Sequence, residues 1–266
     1  MIKKLGFQLY TIRDYYRDNE NATEETLIDA LTRLKKAGYD EVQTAGFGSI
    51  VSEERFSEIF KETGFTVHGT HWETDEILND PEEAMRKHVE LFDTKIMGLG
   101  SVPAYARADM DSLKKFISDI NKVADKVQPY GFKISIHNHN WEFVKLDGKK
   151  TILEYVVEET NPDVVSICLD THWIQRGGGN PTTWIEKLNG RIDILHLKDM
   201  GTEFKDNTYL PYFAEIGYGS MDFDSIMAAA EKTKVKYYCV EQDICPADPI
   251  DSLAMSAEYI RTHYMK

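Results

Sequence analysis

Along most of the chain, segments with apolar residues every three or four positions give way to short runs in which apolar residues alternate or cluster. Leu27, Ala30, Leu31 and Leu34 recur at i, i+3, i+4 and i+7, the stripe of an amphipathic helix. Asn21 is placed as its N-cap, with Glu24 completing a capping box. Asp109 to Val127 carry Leu113, Phe116, Ile117, Ile120, Val123 and Ala124 at the same spacing. Strands are predicted at Leu5–Tyr10, Glu41–Thr44, Thr66–His71, Lys95–Leu99, Lys133–Asn138, Val165–Leu169, Ile192–Leu197 and Lys236–Glu241. Gly38, Gly64, Gly131 and Gly190 each stand between a helix-period segment and such a run, which reads as helix stop followed by strand start.

A helix-like segment follows every predicted strand, and strict βα alternation predicts a parallel sheet covered on both faces. About eight such units in 266 residues favour a closed (β/α)8 TIM barrel over an open doubly wound sheet. No linker, low-complexity segment or composition break divides residues 1–266, so one domain is expected. The longest irregular connection, Met200 to Gly219, follows the seventh strand and is expected to be a functional loop.

Composition narrows the partners. Thirty-one basic against 45 acidic side chains give a net charge of −14, a field that repels nucleic acid and anionic membranes. The run Met1-Ile2-Lys3-Lys4-Leu5-Gly6-Phe7 does not read as a signal peptide, and no segment has the length and apolarity of a membrane span. Three cysteines, Cys168, Cys239 and Cys245, form neither a disulfide framework nor a zinc motif; the first two are expected to be buried. A cytoplasmic protein acting on a small molecule is the expectation.

The chemistry is concentrated at the carboxyl ends of the predicted strands, where the active sites of such barrels lie. Lys133 to Phe143 begins as a strand, with Ile134 and Ile136 alternating against Ser135, His137 and His139, and passes into a loop bearing Trp141 and Glu142. A polar strand end with satisfied histidines would look the same. The sixth run, however, ends in Asp170, with His172 and Trp173 just beyond, the seventh in His196 followed by Lys198 and Asp199, and the eighth in Glu241. A lone Asp after a strand is often a helix cap and a lone His a core group. Four equivalent ends bearing His137, Asp170, His196 and Glu241 instead suggest mixed N/O ligation of a divalent metal.

In this order, "HNHNWEF", "LDTHWIQRGG", "LHLKD", "FAEIGYG" and "VEQD" resemble the sugar phosphate isomerase/epimerase family of the xylose isomerase-like TIM barrels. The resemblance runs from "GFQLYTIRD" to the eighth strand. It implies one divalent ion (Mn, Zn, Co, Fe or Mg) held by His137, Asp170, His196 and Glu241. Many epimerases of the family carry Glu where this chain has His137, so a symmetric exchange between two carboxylates is not implied. Glu142 would be a substitute carboxylate and His139 an alternative ligand. Endonuclease IV, in the same superfamily, has a further histidine where this chain has Trp173, and with the acidic charge DNA repair is not expected.

The remaining expectations concern the substrate, a small sugar. Lys198 is assigned either to a sugar oxygen or developing oxyanion, or to a rim ion pair with Asp199. His71, His139, Trp141 and Trp173 are candidate sugar contacts, Trp72 a further indole wall, and Arg176, before Gly177-Gly178-Gly179, a contact for an anionic substituent. The resulting expectation is an isomerase or epimerase working through an enediolate, with Glu241 as base and Lys198, His137 and Glu142 as further catalytic candidates. A lyase or dehydratase sharing the first step and a sugar binder with a vestigial site are the alternatives, and a homo-oligomer is compatible with each.

Overall fold

The computed structural model describes residues 2–17 and 19–265. Met1, where the basic N-terminal run begins, lies outside them. Strands β1 (Gly6–Gln8), β2 (Glu41–Ala45), β3 (Thr66–His71), β4 (Ile96–Leu99), β5 (Lys133–His137), β6 (Val165–Asp170) and β7 (Ile192–Leu197) are joined by β10 (Tyr237–Val240) in one sheet. Between the last two lies an antiparallel hairpin of β8 (Asp199–Lys205) and β9 (Thr208–Ala214). The eight-stranded sheet runs β3-β2-β1-β10-β7-β6-β5-β4 and every pairing in it is parallel. Its ends approach through a bridge between Trp72 and Leu99, so the sheet curls into a nearly closed barrel, as the βα alternation predicts.

Around it lie α1 (Glu24–Ala37), α2 (Glu53–Glu62), α3 (Thr74–Asn79), α4 (Pro81–Phe92), α5 (Met110–Val127), α6 (Ile152–Glu159), α7 (Thr171–Arg176), α8 (Pro181–Lys187), α9 (Phe223–Glu231) and α10 (Pro249–Tyr264). The predicted stripes are the buried faces: Leu27, Ala30, Leu31 and Leu34 on α1, and Leu113, Phe116, Ile117, Ile120, Val123 and Ala124 on α5. Each fully buried Leu or Phe contributes roughly 1.5–3 kcal/mol of transfer free energy, which seats the helices on the barrel. Gly38 ends α1 at φ 103, and Gly64, Gly131 and Gly190 also adopt positive φ at the predicted stops. Among the described residues, no helix is long and apolar enough to cross a membrane.

Three expectations are corrected. The first strand stops at Gln8, and Leu9–Tyr15 form a 3₁₀ segment. The N-cap of α1 is Thr23, whose hydroxyl accepts the N–H of Thr26 while the Thr26 hydroxyl accepts the N–H of Thr23; Glu24 is already helical. The connection after β7 is not irregular. Asp206 and Asn207, at φ 51 and 58, make the tight turn of the β8–β9 hairpin, because both positions need the left-handed backbone that Asp and Asn tolerate.

The barrel seam depends on an absent side chain. The Trp72 N–H donates to the Gly98 carbonyl at 2.8 Å, and the Gly98 N–H donates to Thr70 Oγ1 at 3.2 Å. A Cβ on Gly98 would lie 1.7 Å from the Thr70 carbonyl oxygen, so β3 must move for any other residue to fit. Gly98→Ala should lower unfolding free energy by about 3 kcal/mol in urea titrations. Gly100→Ala, whose nearest new contact would be an ordinary 3.6 Å, should stay within about 0.5 kcal/mol of the parent.

Candidate functional site

Strand parity builds the site. Inside the barrel Ile96, Cys168, Ile194 and Cys239 form a small apolar layer. The next inward positions toward the carboxyl ends are Asp170, His196 and Glu241, two residues beyond Cys168, Ile194 and Cys239 respectively. Register reinforces parity, since Asp170 pairs with His196 and His196 with Cys239 across neighbouring strands. His137 completes the set from the end of β5. One ligand atom from each of His137, Asp170, His196 and Glu241 lies within 4.8 Å of the other three, and all four side chains are buried.

The polarity of these groups is readable from their partners. His137 Nδ1 lies 3.2 Å from the Gly100 carbonyl and so carries the proton, leaving Nε2 bare. That bare nitrogen stands 3.5 Å from Asp170 Oδ2 and 3.8 Å from Glu241 Oε2. Burial and the neighbouring His196 hold His137 well below the ordinary imidazole range, which keeps it neutral. Asp170 divides its oxygens: Oδ1 accepts the Trp173 N–H at 2.8 Å and caps α7, while Oδ2 is buried without a hydrogen-bond partner. Asp170 therefore caps a helix and also turns an oxygen to the cluster. His196 Nδ1 lies 2.8 Å from Glu241 Oε2. At that distance Nδ1–H donates to the carboxylate as long as no cation is present, and a divalent cation would take that proton's place; two imidazoles and two carboxylates are a fitting donor set.

Lys198 is fully buried beside this cluster. Its Nζ lies 2.6 Å from Asp243 Oδ2, 3.2 Å from Glu241 Oε2 and 3.4 Å from Asp170 Oδ2. Burial alone would drain its charge, but the three carboxylates outweigh burial and hold it a cation well above the ordinary lysine range. Burial likewise pushes Glu241 up, and Lys198 and His196 outweigh it, so that carboxylate is held well below its usual range. The anticipated rim pair with Asp199 does not form. Asp199 instead accepts the N–H groups of Met200, Gly217, Gly219 and Met221, fixing the return from the hairpin.

A cavity of about 280 Å³ opens above the cluster, lined by Tyr10, Ala45, His71, Gly100, His137, His139, Glu241 and Asp243. His139 stacks on Trp141 at 4.0 Å between ring centres and lies 5.2 Å from Trp173. The indole nitrogens of Trp141 and Trp173 are buried without hydrogen-bond partners. Phe213, at the root of the hairpin, stacks on His172 and comes within 5.5 Å of Lys198 Nζ. Trp72 belongs elsewhere: it packs against Phe47, His88 and Phe92 and donates to Glu76, so it walls the core and not the cavity. Arg176 is exposed at the end of α7. Asp243, Gln8 and Gln43 join the arrangement beyond the sequence expectation; their signal is inward parity in "GFQLY" and "EVQTA" and proximity to Glu241.

Glu142 serves the loop. Its Oε2 accepts the His139 N–H at 2.8 Å and its Oε1 the Val102 N–H at 3.1 Å, and it is absent from the four-ligand cluster. Burial nevertheless raises it to about 7, against the pull of those two N–H groups. The folded state thus favours its protonated form, and this contribution is present below the ordinary carboxylate range and lost as pH rises toward 7. Urea titrations should show the parent losing stability relative to Glu142→Gln between about pH 5 and pH 7.5, on the order of 3 kcal/mol.

Comparison with known proteins bears on the fold and the family. The fold superposes on a sugar phosphate isomerase/epimerase from Parabacteroides distasonis ATCC 8503 with a TM-score of 0.78 at 22% identity, covering 99% of this chain and 95% of that one. A xylose isomerase-like TIM barrel protein from Mycobacterium smegmatis, in complex with magnesium, superposes with a TM-score of 0.72 at 13% identity over 97% of this chain and 95% of its own. In sequence, an inosose dehydratase from Lacticaseibacillus casei is 23% identical over 164 residues, which are 56% of this chain and 54% of that protein. The chain spans about half the length of the curated relatives it matches. The pattern of the xylose isomerase-like TIM barrel family matches residues 31–263, and the chain belongs to that family.

Proposed function

We propose that the chain is a metal-dependent isomerase or epimerase of a sugar or sugar derivative, acting by proton removal next to a carbonyl. The observation that carries this reading is the convergence of His137 Nε2, Asp170 Oδ2, His196 Nδ1 and Glu241 Oε2 beside a permanently charged Lys198. A divalent ion held by those four residues would supply Lewis-acid polarisation of an α-hydroxycarbonyl.

The chain's own residues carry the remaining steps. Glu241, ionised and at the cavity wall, takes the proton from the carbon adjacent to the carbonyl with Oε1, the oxygen not turned to the cluster. The C–H electron pair becomes the double bond of an enediolate, and Lys198 Nζ offsets the charge developing on its oxygen. Glu241 then returns the proton to the neighbouring oxygen-bearing carbon on the same face, while a hydroxyl proton moves between the two oxygens; this completes an isomerisation. Inversion would need a donor on the opposite face, which makes isomerisation the simpler outcome for one base. Trp141 and Trp173 present aromatic faces to sugar C–H surfaces and indole N–H groups to its hydroxyls. His71 and His139 border the same cavity.

A dehydratase is the second reading, favoured by the inosose dehydratases among the relatives and by His137 at the fifth strand end. It shares the proton removal, after which the electron pair expels hydroxide from the β-carbon and a donor protonates it to water. The Gly100 contact commits the His137 proton to the backbone and favours its role as ligand over that of acid.

Purified protein should hold about one divalent ion per chain, and His196→Ala or Asp170→Ala should lose it on elemental analysis. Absence of metal together with activity indifferent to chelator would sink the reading. In deuterium oxide, the substrate carbon next to the carbonyl should become labelled. Metal-replete Glu241→Gln should label it about 10²–10⁴-fold more slowly. Conserved product mass apart from deuterium marks the isomerase, and loss of water the dehydratase. Labelling at the parent rate in that variant would move the base to Asp243.

A further inference from the structure

We infer that Gln8 and Gln43, two amides buried beneath the site, are positioning residues that keep a proton on Nε2 of His71 and of His196. The consequence for His196 rests on the metal reading above, whereas the assignment of both protons does not.

Gln8 and Gln43 are fully buried and stand opposite each other in the β1–β2 register. The two ends of an amide have the same shape, so its orientation follows from partners of fixed polarity. A backbone N–H can only donate, and that of Tyr10 lies 3.4 Å from Gln8 Oε1. The Nε2 end of Gln8 therefore turns into the barrel. A backbone carbonyl can only accept, and that of Thr70 lies 3.4 Å from Gln43 Nε2. Gln43 Oε1 therefore faces the other way, where Gln8 Nε2 donates to it at 3.0 Å. The Cys239 thiol donates to the same oxygen at 3.9 Å. Two independent backbone anchors and the link between the amides thus agree on one orientation.

Both imidazoles are then determined. Gln43 Oε1 bears no hydrogen and lies 2.5 Å from His196 Nε2, so that nitrogen carries a proton. His196 Nδ1, directed at Glu241 and Asp170, donates to Glu241 when no cation is present and is the nitrogen left to offer a lone pair when one binds. Gln8 Nε2 bears hydrogens and lies 3.3 Å from His71 Nδ1, so Nδ1 is bare and the proton of neutral His71 sits on Nε2. That Nε2 is buried without a partner and His71 lines the cavity, so it presents an N–H donor to a substrate oxygen. The amides act in series: turning Gln43 over would set N–H against the Gln8 N–H and leave His196 with its proton on the ligand side. One amide pair thereby makes one histidine an electron-pair donor and the other a hydrogen-bond donor.

The test is a two-bond ¹H–¹⁵N spectrum of the full chain labelled at histidine, recorded metal-free and with zinc. Protons on His196 Nε2 and on His71 Nε2 are expected in both states. Gln43→Leu should let His196 lose its Nε2 proton and weaken zinc about 10–100-fold in chelator competition, while Gln43→Glu, which keeps the acceptor, should retain that proton. Gln8→Leu should mix the tautomers of His71. A parent spectrum with either Nε2 unprotonated overturns the inference, and so does a folded Gln43→Leu variant with its Nε2 proton and its zinc affinity unchanged. The parent spectrum decides even where a variant fails to fold. If the parent binds no zinc, the metal reading fails and the metal-free spectrum still judges the two protons.

Discussion

Two buried carboxylates and a half-buried third share one ammonium at the mouth of this barrel, and much else follows from that imbalance. Asp170, Glu241 and Asp243 all lie within 3.4 Å of Lys198 Nζ. Buried charges are tolerated only where they are paired. Even with His196 charged against Glu241, one lysine and one imidazole against three carboxylates leave the group negative, and His137, kept neutral by burial, does not correct it. Strands β6, β7 and β10 therefore end in a place that attracts a further cation. The net charge of −14 across the chain has the same sign and deepens that local field.

The same economy governs single residues. Asp170 caps α7 with one oxygen and faces the cluster with the other, so the turn from β6 into α7 fixes the direction of that second oxygen. Gly100 offers the carbonyl that holds His137, and Asp199 gathers four N–H groups to anchor the hairpin whose root delivers Phe213. In each case a backbone group of fixed polarity settles the direction of a side chain, which is how a site can be ordered before any ligand arrives.

The barrel was legible because its signals are local. Period-two runs, helical stripes and glycines at helix ends need only a few neighbouring residues, and these marked seven strands almost to the residue as well as the faces of α1 and α5. The four-residue cluster was legible because strand parity repeats from one βα unit to the next. What escaped depends on pairing across the chain. Gln8 and Gln43 are 35 residues apart, and Gln43 and His196 153 apart, so nothing near either glutamine announces its partner. The hairpin was hidden for another reason. Its turn is Asp206–Asn207, without the glycine that usually flags such turns, and its strands are mixed in polarity. Trp72 shows the converse error, since position at a strand end does not say whether a ring turns toward the cavity or the core.

The seam between β3 and β4 makes the barrel a split ring. The other seven pairings are strand ladders, whereas this one rests, among the described residues, on the Trp72–Leu99 bridge and the bonds around Gly98. Local opening takes the route with fewest hydrogen bonds to break, so amide exchange should begin there. The split lies next to the four-residue cluster. His71 ends one lip of it, and two residues past Gly98 on the other lip is Gly100, whose carbonyl fixes the proton of His137. Breathing of the ring would loosen a cavity wall and a cluster histidine in one motion, which makes the stiffness of a glycine-lined seam a kinetic property of the site.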